Sequence, residues 1–154
     1  MSMGPSVQTY ETPLVFMRAV RKRFGPIHFD LAASAENCKA ADFFSEADNS
    51  LVQDWRRVGP TAWLNPPFKK IQPWAERCKY STGWSSAFTL EKILFHVPAA
   101  VGSNWFRDNV DGQALVLFLN GRITYVGQKD PYPKDMLLCV YGEEPGYEVW
   151  DWRK

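Results

Sequence analysis

The chain has 154 residues, which is the length of one domain and leaves little room for a second. Its 45% hydrophobic and 23% charged residues are ordinary for a soluble globular protein. The formal net charge of +1 excludes recruitment of nucleic acid by the field of the whole molecule, so such a partner would have to be held by local basic clusters.

The number and spacing of the cysteines and the absence of long apolar runs predict the cellular compartment of the protein. Cys38, Cys78 and Cys139 are odd in number and widely spaced, and no Cys-x-x-Cys pair is present. This pattern favours reduced thiols over a disulfide framework or a zinc site. Because no stretch resembles a signal peptide or a membrane span, we expect a soluble cytoplasmic protein with no membrane partner and no metal.

The predicted elements begin after a short polar segment. Residues 1–8 are predicted to be disordered, and residues 9–154 are expected to form the domain. A helix is predicted to open at Thr12-Pro13, with Thr12 as the N-cap and Pro13 in the first helical position. Apolar residues at helical spacing follow until Phe24-Gly25-Pro26, where the helix ends.

Short strands and turns are predicted next. The segment from Ile27 to Ala33 is typical of a buried strand and ends in Asp30-Leu31-Ala32-Ala33. A second short strand is predicted at Phe43-Phe44, and Asp48-Asn49-Ser50 has the composition of a turn.

The second half of the chain is predicted to alternate between strands and helices. Thr61 to Leu64 is a strand that must end at Asn65-Pro66-Pro67-Phe68, because a strand cannot continue through two prolines. A helix is expected from about Ile71 to Tyr80. Three further strands are predicted, over Ile93 to Val97, Ala114 to Asn120 and Met136 to Tyr141. Asn120-Gly121 marks a turn from which Arg122 to Val126 is predicted to return as a hairpin partner.

These elements predict an open, mostly parallel α/β sheet with a C-terminal antiparallel hairpin. Strands such as Leu115 to Leu119 are almost continuously apolar, as a sheet covered on both faces requires. In such sheets ligands bind at the carboxyl ends of the strands. Both Asp30 and Asn65 stand at predicted strand ends.

Asn65-Pro66-Pro67-Phe68 carries groups that would activate the amine of a nucleic-acid base. That amine is a poor nucleophile because its lone pair is delocalised into the ring. The side-chain carbonyl of Asn65 and the backbone carbonyl of Pro66 are acceptors that would draw the nitrogen toward tetrahedral geometry. Two prolines fix the turn, and Phe68 can stack on a base swung out of its helix. The alternative is a strand-ending turn with an aromatic ring packed beneath it.

These four residues resemble motif IV of amino-methyltransferases, in which Asp, Asn or Ser is followed by Pro-Pro and an aromatic residue. Over most of its length the chain is similar to the short phage-type DNA N6-adenine methyltransferases of the Dam group. The resemblance is carried in order by Thr12-Pro13, Phe24-Gly25-Pro26, Asp30-Leu31-Ala32-Ala33, Asn37, Asp48, Leu51, Asp54-Trp55, Trp63 to Phe68, Trp74, Pro98, Trp105-Phe106 and Gly121-Arg122-Ile123.

The resemblance implies the Rossmann-like fold of class I S-adenosylmethionine-dependent methyltransferases in a compact single domain. It implies transfer of a methyl group from S-adenosyl-L-methionine to the N6 amine of a flipped adenine in double-stranded DNA. The catalytic residues would be Asn65, Pro66, Pro67 and Phe68.

The resemblance also implies a set of cofactor contacts. Thr12 and Pro13 would meet the methionine part of the cofactor, although a simple helix cap explains them as well. Asp30 would accept from the cofactor ammonium while Ala32 allows the backbone to approach, although a strand-end cap is the alternative. Asp48 would meet the ribose, unless it forms only a turn. Asn65 would serve both the cofactor and the target amine.

The chain departs from the pattern in two ways. A Gly-x-Gly turn after the first strand is absent, and there is no room for a separate target-recognition domain. Selectivity would then come from the loops at residues 69–72, 80–90 and 125–134 or from a homodimer or accessory partner. Candidate DNA contacts in these loops are Trp84, Lys129, Tyr132 and Lys134, for which ordinary protein surface is the favoured alternative. His28 and His96 lie in apolar strands and are expected to be core residues.

Two alternatives stay open. A methyltransferase of cytosine N4, of an RNA base or of a protein glutamine amide would carry the same four-residue turn. A non-catalytic nucleic-acid-binding module on the same scaffold would use Phe68 and the tryptophans to stack single-stranded bases.

Overall fold

A computed structural model describes residues 10–82 and 88–154. The predicted disorder of residues 1–8 and the predicted contact of Trp84 lie outside this part of the chain. Among the described residues, no helix combines the length and the apolar character needed to cross a membrane. Cys38, Cys78 and Cys139 are free thiols.

The two longer helices of the structure occur where the sequence predicts helices. The structure contains helix α1 at Leu14–Phe24, helix α2 at Gln72–Ser81 and helix α3 at Asn104–Asn109, with 3-10 turns at Ser50–Val52 and Trp55–Arg57. Gly25 ends α1 by donating its backbone N–H to the carbonyl of Arg21 at 2.8 Å. Helix α3 is short and was not predicted; its N-cap is Ser103, whose side chain accepts from the N–H of Phe106.

The strands form one mixed sheet in the described part of the chain. They are β1 at Phe29–Asp30, β2 at Asp42–Phe43, β3 at Thr61–Leu64, β4 at Lys92–Pro98, β5 at Leu115–Leu119, β6 at Met136–Tyr141 and β7 at Gly146–Trp150. Their order across the sheet is β2-β1-β3-β4-β6-β5-β7. The first four are parallel, β6 is antiparallel to both β4 and β5, and β7 runs parallel to β5. The predicted α/β fold with a C-terminal antiparallel hairpin is confirmed.

Both faces of the sheet are covered. One face packs against α2 and α3 through residues such as Leu64, Ala75 and Phe106. The other face packs against α1 and the C-terminal Trp152, with Phe16 at its centre. Strand β6 is buried along its whole length, which explains its continuous apolar sequence.

The turn between β6 and β7 requires glycine. Gly142 has a φ of 98°, and a Cβ atom at this position would lie 2.0 Å from the carbonyl oxygen of Glu91. The tight turn lets the chain leave β6 and pass to the far side of β5, where β7 forms the edge of the sheet. Strand β7 was not predicted, because an edge strand with exposed Tyr147 and Glu148 lacks the apolar signal of a central strand.

The first two predicted strands have different bounds in the structure. The strand predicted from Ile27 to Ala33 is reduced to Phe29–Asp30. The chain turns after Asp30 because its carboxylate accepts the backbone N–H groups of Ala32 and Lys39, at 3.2 and 2.9 Å. The second strand is Asp42–Phe43, one residue earlier than predicted.

The hairpin prediction for Arg122 to Val126 is wrong. The antiparallel partner of β5 is β6, and the chain between them forms a long loop. The backbone of this loop is bonded elsewhere: Val126 donates to the carbonyl of Glu11, and Tyr132 donates to the carbonyl of Ile123. The loop therefore folds back toward the start of α1 and does not extend the sheet.

The sheet has a topological switch point between β1 and β3. The chain passes from β1 to β2 on one side of β1 and then returns to β3 on the other side. At such a point the connections leave a crevice beyond the carboxyl ends of the strands, which is where open α/β sheets bind ligands. Asp30 ends β1, and Asn65 follows the last residue of β3.

Candidate active site

The side chain of Asn65 is held by two acceptors from the segment before α1. Its Nδ2 donates to the backbone carbonyl of Tyr10 at 2.6 Å and to Oγ1 of Thr12 at 3.1 Å. A backbone carbonyl can only accept, so the bond to Tyr10 decides which end of the amide carries the hydrogens. The opposite atom, Oδ1, must point the other way.

Oδ1 of Asn65 is a buried acceptor with no hydrogen-bond partner among the described residues. Leaving such a group unpaired costs about 1 to 3 kcal/mol, and native proteins rarely do so without a reason. A ligand that donates an N–H to this oxygen would remove that cost. The geometry thus leaves free an acceptor of the kind that the chemistry of a base amine requires.

Thr12 does not cap helix α1, contrary to the prediction from sequence. Pro13 occupies the N-cap position, and its carbonyl accepts from the N–H groups of Phe16 and Met17. Thr12 is buried, and its hydroxyl is used to hold Asn65 instead. Helix propensity could not reveal this contact, because Asn65 is 53 positions away in the sequence.

Phe68 lies in an aromatic cluster, which we define as Tyr10, Phe68, Tyr125 and Tyr132. The rings of Phe68 and Tyr10 are stacked, with centroids 5.5 Å apart and planes inclined by 21°. Tyr125 and Tyr132 contact both of them at centroid distances from 5.2 to 6.4 Å. Tyr10 and Tyr125 were not identified from the sequence, because nothing local marks aromatic residues that meet only in the folded chain.

An open cavity of about 530 Å³ adjoins Phe68. Its walls include Lys69, Lys70 and Trp105. The volume is in the range of small-molecule sites, and the lining combines aromatic surface with two exposed cationic side chains and the carboxylate of Glu76. This combination suits a nucleotide, since a base can stack on the rings while a phosphate meets a lysine.

Asp30 is a buried carboxylate at the end of β1. Its side chain is 2% exposed, and burial raises its pKa to about 6 despite the two backbone N–H groups that it accepts. A cationic group beside this carboxylate would offset the cost of burying its charge. The N–H of Ala32 donates to the Asp30 carboxylate at 3.2 Å, and the approach of its backbone to the cofactor stays a prediction.

A chain of contacts connects Asp30 to the segment that holds Asn65. Lys39, whose N–H bonds to Asp30, also places its ammonium 3.2 Å from the carboxylate of Glu11. Glu11 precedes Thr12, which contacts Asn65. The strand ends on both sides of the switch point are therefore tied to the same short segment before α1.

Asp48 is exposed in a turn after β2. Its Oδ2 accepts from the backbone N–H of Ser45 at 2.8 Å and from the hydroxyl of Ser45 at 3.0 Å. These bonds hold the pKa of Asp48 below its usual value. The turn-forming interpretation thus accounts for the observed contacts, and the ribose contact stays a prediction.

The two histidines have different environments. His28 is exposed in the loop before β1, so the prediction that it is a core residue is wrong; its Nδ1 accepts from the N–H of Thr61 at 3.3 Å. His96 is fully buried in β4 with both ring nitrogens bonded, as predicted. Within residues 10–82 and 88–154, no cluster of three or more His, Cys, Asp or Glu side chains could hold a metal ion.

Comparisons with known proteins identify the family of the chain. The sequence model of the DNA N-6-adenine-methyltransferase (Dam) family matches residues 5–136. The DNA N-6-adenine-methyltransferase of Escherichia phage T1 is 23% identical over 140 residues, which are 91% of this chain and 56% of the phage protein. The chain thus spans little more than half the length of that relative.

A second relative matches a smaller part of the chain. The protein YfdM of Escherichia coli K12, to which a methyltransferase role is ascribed, is 30% identical over 69 residues, or 42% of this chain and 71% of that protein. The family match covers β1, β3 and the loop that carries Tyr125, and so includes the whole candidate site. The chain belongs to the DNA N-6-adenine-methyltransferase (Dam) family.

Proposed function

We propose that this protein transfers a methyl group from S-adenosyl-L-methionine to the exocyclic N6 amine of adenine in double-stranded DNA. The observation that carries the proposal is the unpaired, buried Oδ1 of Asn65 at the end of β3, directly before Pro66-Pro67-Phe68. Membership of the Dam family and the name of the phage T1 relative support adenine as the target.

Asn65 and Pro66 would make the amine nucleophilic. Oδ1 of Asn65 accepts one N–H of the amine, and the backbone carbonyl of Pro66 accepts the other. Two acceptors hold the nitrogen near tetrahedral geometry and stabilise the positive charge that develops on it. Because Asn65 is itself held by Tyr10 and Thr12, its acceptor needs little reorganisation during the reaction.

When bound, S-adenosyl-L-methionine would supply a methyl group on a positively charged sulfur, and the neutral thioether S-adenosyl-L-homocysteine would be the leaving group in this downhill transfer. The residues at the switch point would suit such a ligand, because burial raises the pKa of the Asp30 carboxyl and the ammonium of the ligand would offset the cost of burying its charge. Asp30 would accept from the ammonium of the ligand. Thr12 and the first turn of α1 would receive its carboxylate.

The reaction needs no basic side chain. An exocyclic amine that has just gained a methyl group is strongly acidic, so its extra proton passes to water. His96 is unsuited to this task, since burial lowers its pKa to about 4 and both ring nitrogens are bonded. The work of the protein is to bind, orient and polarise the amine.

The target base would have to leave the duplex to reach Asn65. Phe68 offers it an aromatic surface, and the adjoining cavity has room for a nucleotide. Lys69 and Lys70 are exposed at this cavity and would contact the phosphates on either side. Lys129, Lys134 and Tyr132 belong to the loop next to the aromatic cluster and would contribute further strand contacts.

The experiment that tests the proposal is product analysis by mass spectrometry. The purified chain is incubated with S-adenosyl-L-methionine and, in separate reactions, unmethylated duplex DNA, RNA and a protein mixture. Methyl groups in N6-methyladenine of the DNA are the expected result. Methylated cytosine, RNA or glutamine would assign a different substrate to the same methyltransferase fold. Failure to bind S-adenosyl-L-methionine would favour a non-catalytic binding module.

A further inference from the structure

A buried histidine is hydrogen-bonded to one tyrosine of the aromatic cluster. His96 in β4 is fully buried; its Nδ1 lies 3.1 Å from the carbonyl oxygen of Leu137, and its Nε2 lies 2.7 Å from the hydroxyl of Tyr125. The carbonyl of Leu137 can only accept, so Nδ1 carries the proton of the neutral ring. Nε2 therefore accepts from the O–H of Tyr125, and both bonds have a defined direction.

The imidazole has little freedom to move. It stacks on Trp63 of β3, with ring centroids 5.8 Å apart and planes inclined by 26°. The ring of Phe16, on helix α1, lies 5.3 Å from the imidazole between centroids. Trp63 is two positions before Asn65 on β3. Through Trp63, His96 thus packs against β3, the strand that Asn65 directly follows.

The other end of the pair reaches the place where a base would bind. The ring of Tyr125 is 2% exposed and contacts Tyr10 at 5.2 Å, Phe68 at 6.4 Å and Tyr132 at 5.8 Å between centroids. Tyr125 lies in the long loop between β5 and β6, which has no strand pairing of its own to fix it. The bond from its hydroxyl to His96 connects this loop to the central strand β4.

We propose that His96 is a positioning residue for the target base, acting through the hydroxyl of Tyr125 to hold the Tyr125 ring against the other members of the aromatic cluster. The inference rests on the proposed function and extends it to a residue outside the four-residue motif. A core histidine needed for folding alone would be replaceable by an apolar ring among neighbours such as Phe16 and Trp63. Here an imidazole lies in an apolar environment, where its cost of burial is balanced by the bonds to Leu137 and Tyr125.

Three variants separate positioning from a structural role. His96→Phe keeps the ring and removes the acceptor, Tyr125→Phe removes only the hydroxyl, and the double variant removes both partners. His96→Gln is the conservative variant, since its side-chain carbonyl can accept from Tyr125. For each protein, kcat and KM are measured with unmethylated duplex DNA, alongside the Kd for S-adenosyl-L-methionine and the Tm.

Both single variants are expected to lower kcat/KM for DNA by about ten-fold, with Kd for S-adenosyl-L-methionine unchanged. The double variant is expected to be no worse than either single variant, because the two residues act as one unit. His96→Gln is expected to recover most of the activity. A fall in Tm without this pattern would indicate a structural role only.

The proposal would be overturned by a folded Tyr125→Phe variant with wild-type kcat/KM, or by losses that add in the double variant. Tyr125→Phe is the deciding protein if His96→Phe does not fold, since it deletes a single oxygen atom. Failure of the proposed function has a different signature. In that case the wild-type protein itself would place no methyl group in DNA.

Discussion

The side-chain amide of Asn65 is bonded to the backbone carbonyl of Tyr10, which lies 55 positions earlier in the chain. This contact does more than join two segments. It fixes the orientation of the amide, so that Oδ1 is the atom left as a buried acceptor without a partner among the described residues. It also brings the ring of Tyr10 over Phe68.

Replacement of Asn65 tests whether turnover depends on its oriented side-chain amide. Asn65→Ala is expected to abolish turnover, because it removes the acceptor, while affinity for S-adenosyl-L-methionine stays within about one order of magnitude, as for the loss of one hydrogen bond. Asn65→Asp keeps one oxygen as an acceptor, but its second oxygen would face the carbonyl oxygen of Tyr10 and repel it. We therefore expect Asn65→Asp also to lose activity. Turnover and cofactor binding are measured by methyl transfer and calorimetry. If Asn65→Ala retained activity, Asn65 would not be the residue that activates the amine.

Thr12 is expected to affect turnover through Asn65. Thr12→Val has nearly the same shape but leaves one amide hydrogen of Asn65 without its acceptor. We expect kcat at saturating S-adenosyl-L-methionine to fall about ten-fold, and Thr12→Ser to restore it. If only the KM for the cofactor changes, Thr12 contacts the cofactor and does not position Asn65.

Asp30 is expected to make stability depend on pH. Its pKa is about 6 in the folded protein and near 3.8 when unfolded, so the folded state binds this proton more tightly. The associated stability is present below pH 3.8 and is lost as pH rises through 6, by up to about 3 kcal/mol. A bound cation beside Asp30 should reduce this loss.

The measurement compares denaturant unfolding of the wild type and Asp30→Asn from pH 4 to pH 7.5. The comparison is needed because His96, with a pKa lowered to about 4, gives the opposite trend over part of this range. The difference between the two proteins should shift in favour of Asp30→Asn as pH rises, and S-adenosyl-L-methionine should stabilise the wild type more. A difference that does not vary with pH would show that Asp30 does not titrate as described.

Phe68 is expected to contribute to DNA binding and not to cofactor binding. Phe68→Ala should raise the KM for DNA by roughly ten- to one-hundred-fold, the range found for loss of one base–aromatic stack. Phe68→Tyr keeps the ring and serves as the matched control. Steady-state kinetics with each substrate varied in turn make the distinction, and an unchanged KM for DNA would place the base elsewhere.

The parts of the site that were predictable are those encoded locally. Two prolines must end β3, so the position of Asn65 at a strand end follows from the sequence. The apolar runs of β4, β5 and β6 likewise predict a sheet covered on both faces. Asp30 at the end of β1 follows from the same pattern, although the strand is shorter than predicted.

The parts that were not predictable depend on contacts between distant segments. Thr12 has the sequence of a helix cap, and its hydroxyl is instead used by Asn65. Tyr125 lies in a loop that resembles a hairpin strand after Asn120-Gly121, and its partners are Tyr10, Phe68 and His96. Local propensity contains no information on such pairings, because they are decided by the packing of the whole fold.

The central claim is that Asn65 activates an adenine amine for methylation. The most direct test is incubation of the wild type and of Asn65→Ala, prepared identically, with tritiated S-adenosyl-L-methionine and unmethylated duplex DNA, followed by digestion to nucleosides. The account predicts label in N6-methyldeoxyadenosine with the wild type and none with Asn65→Ala. Label in another nucleoside, equal label with both proteins, or no label despite measured cofactor binding would contradict it.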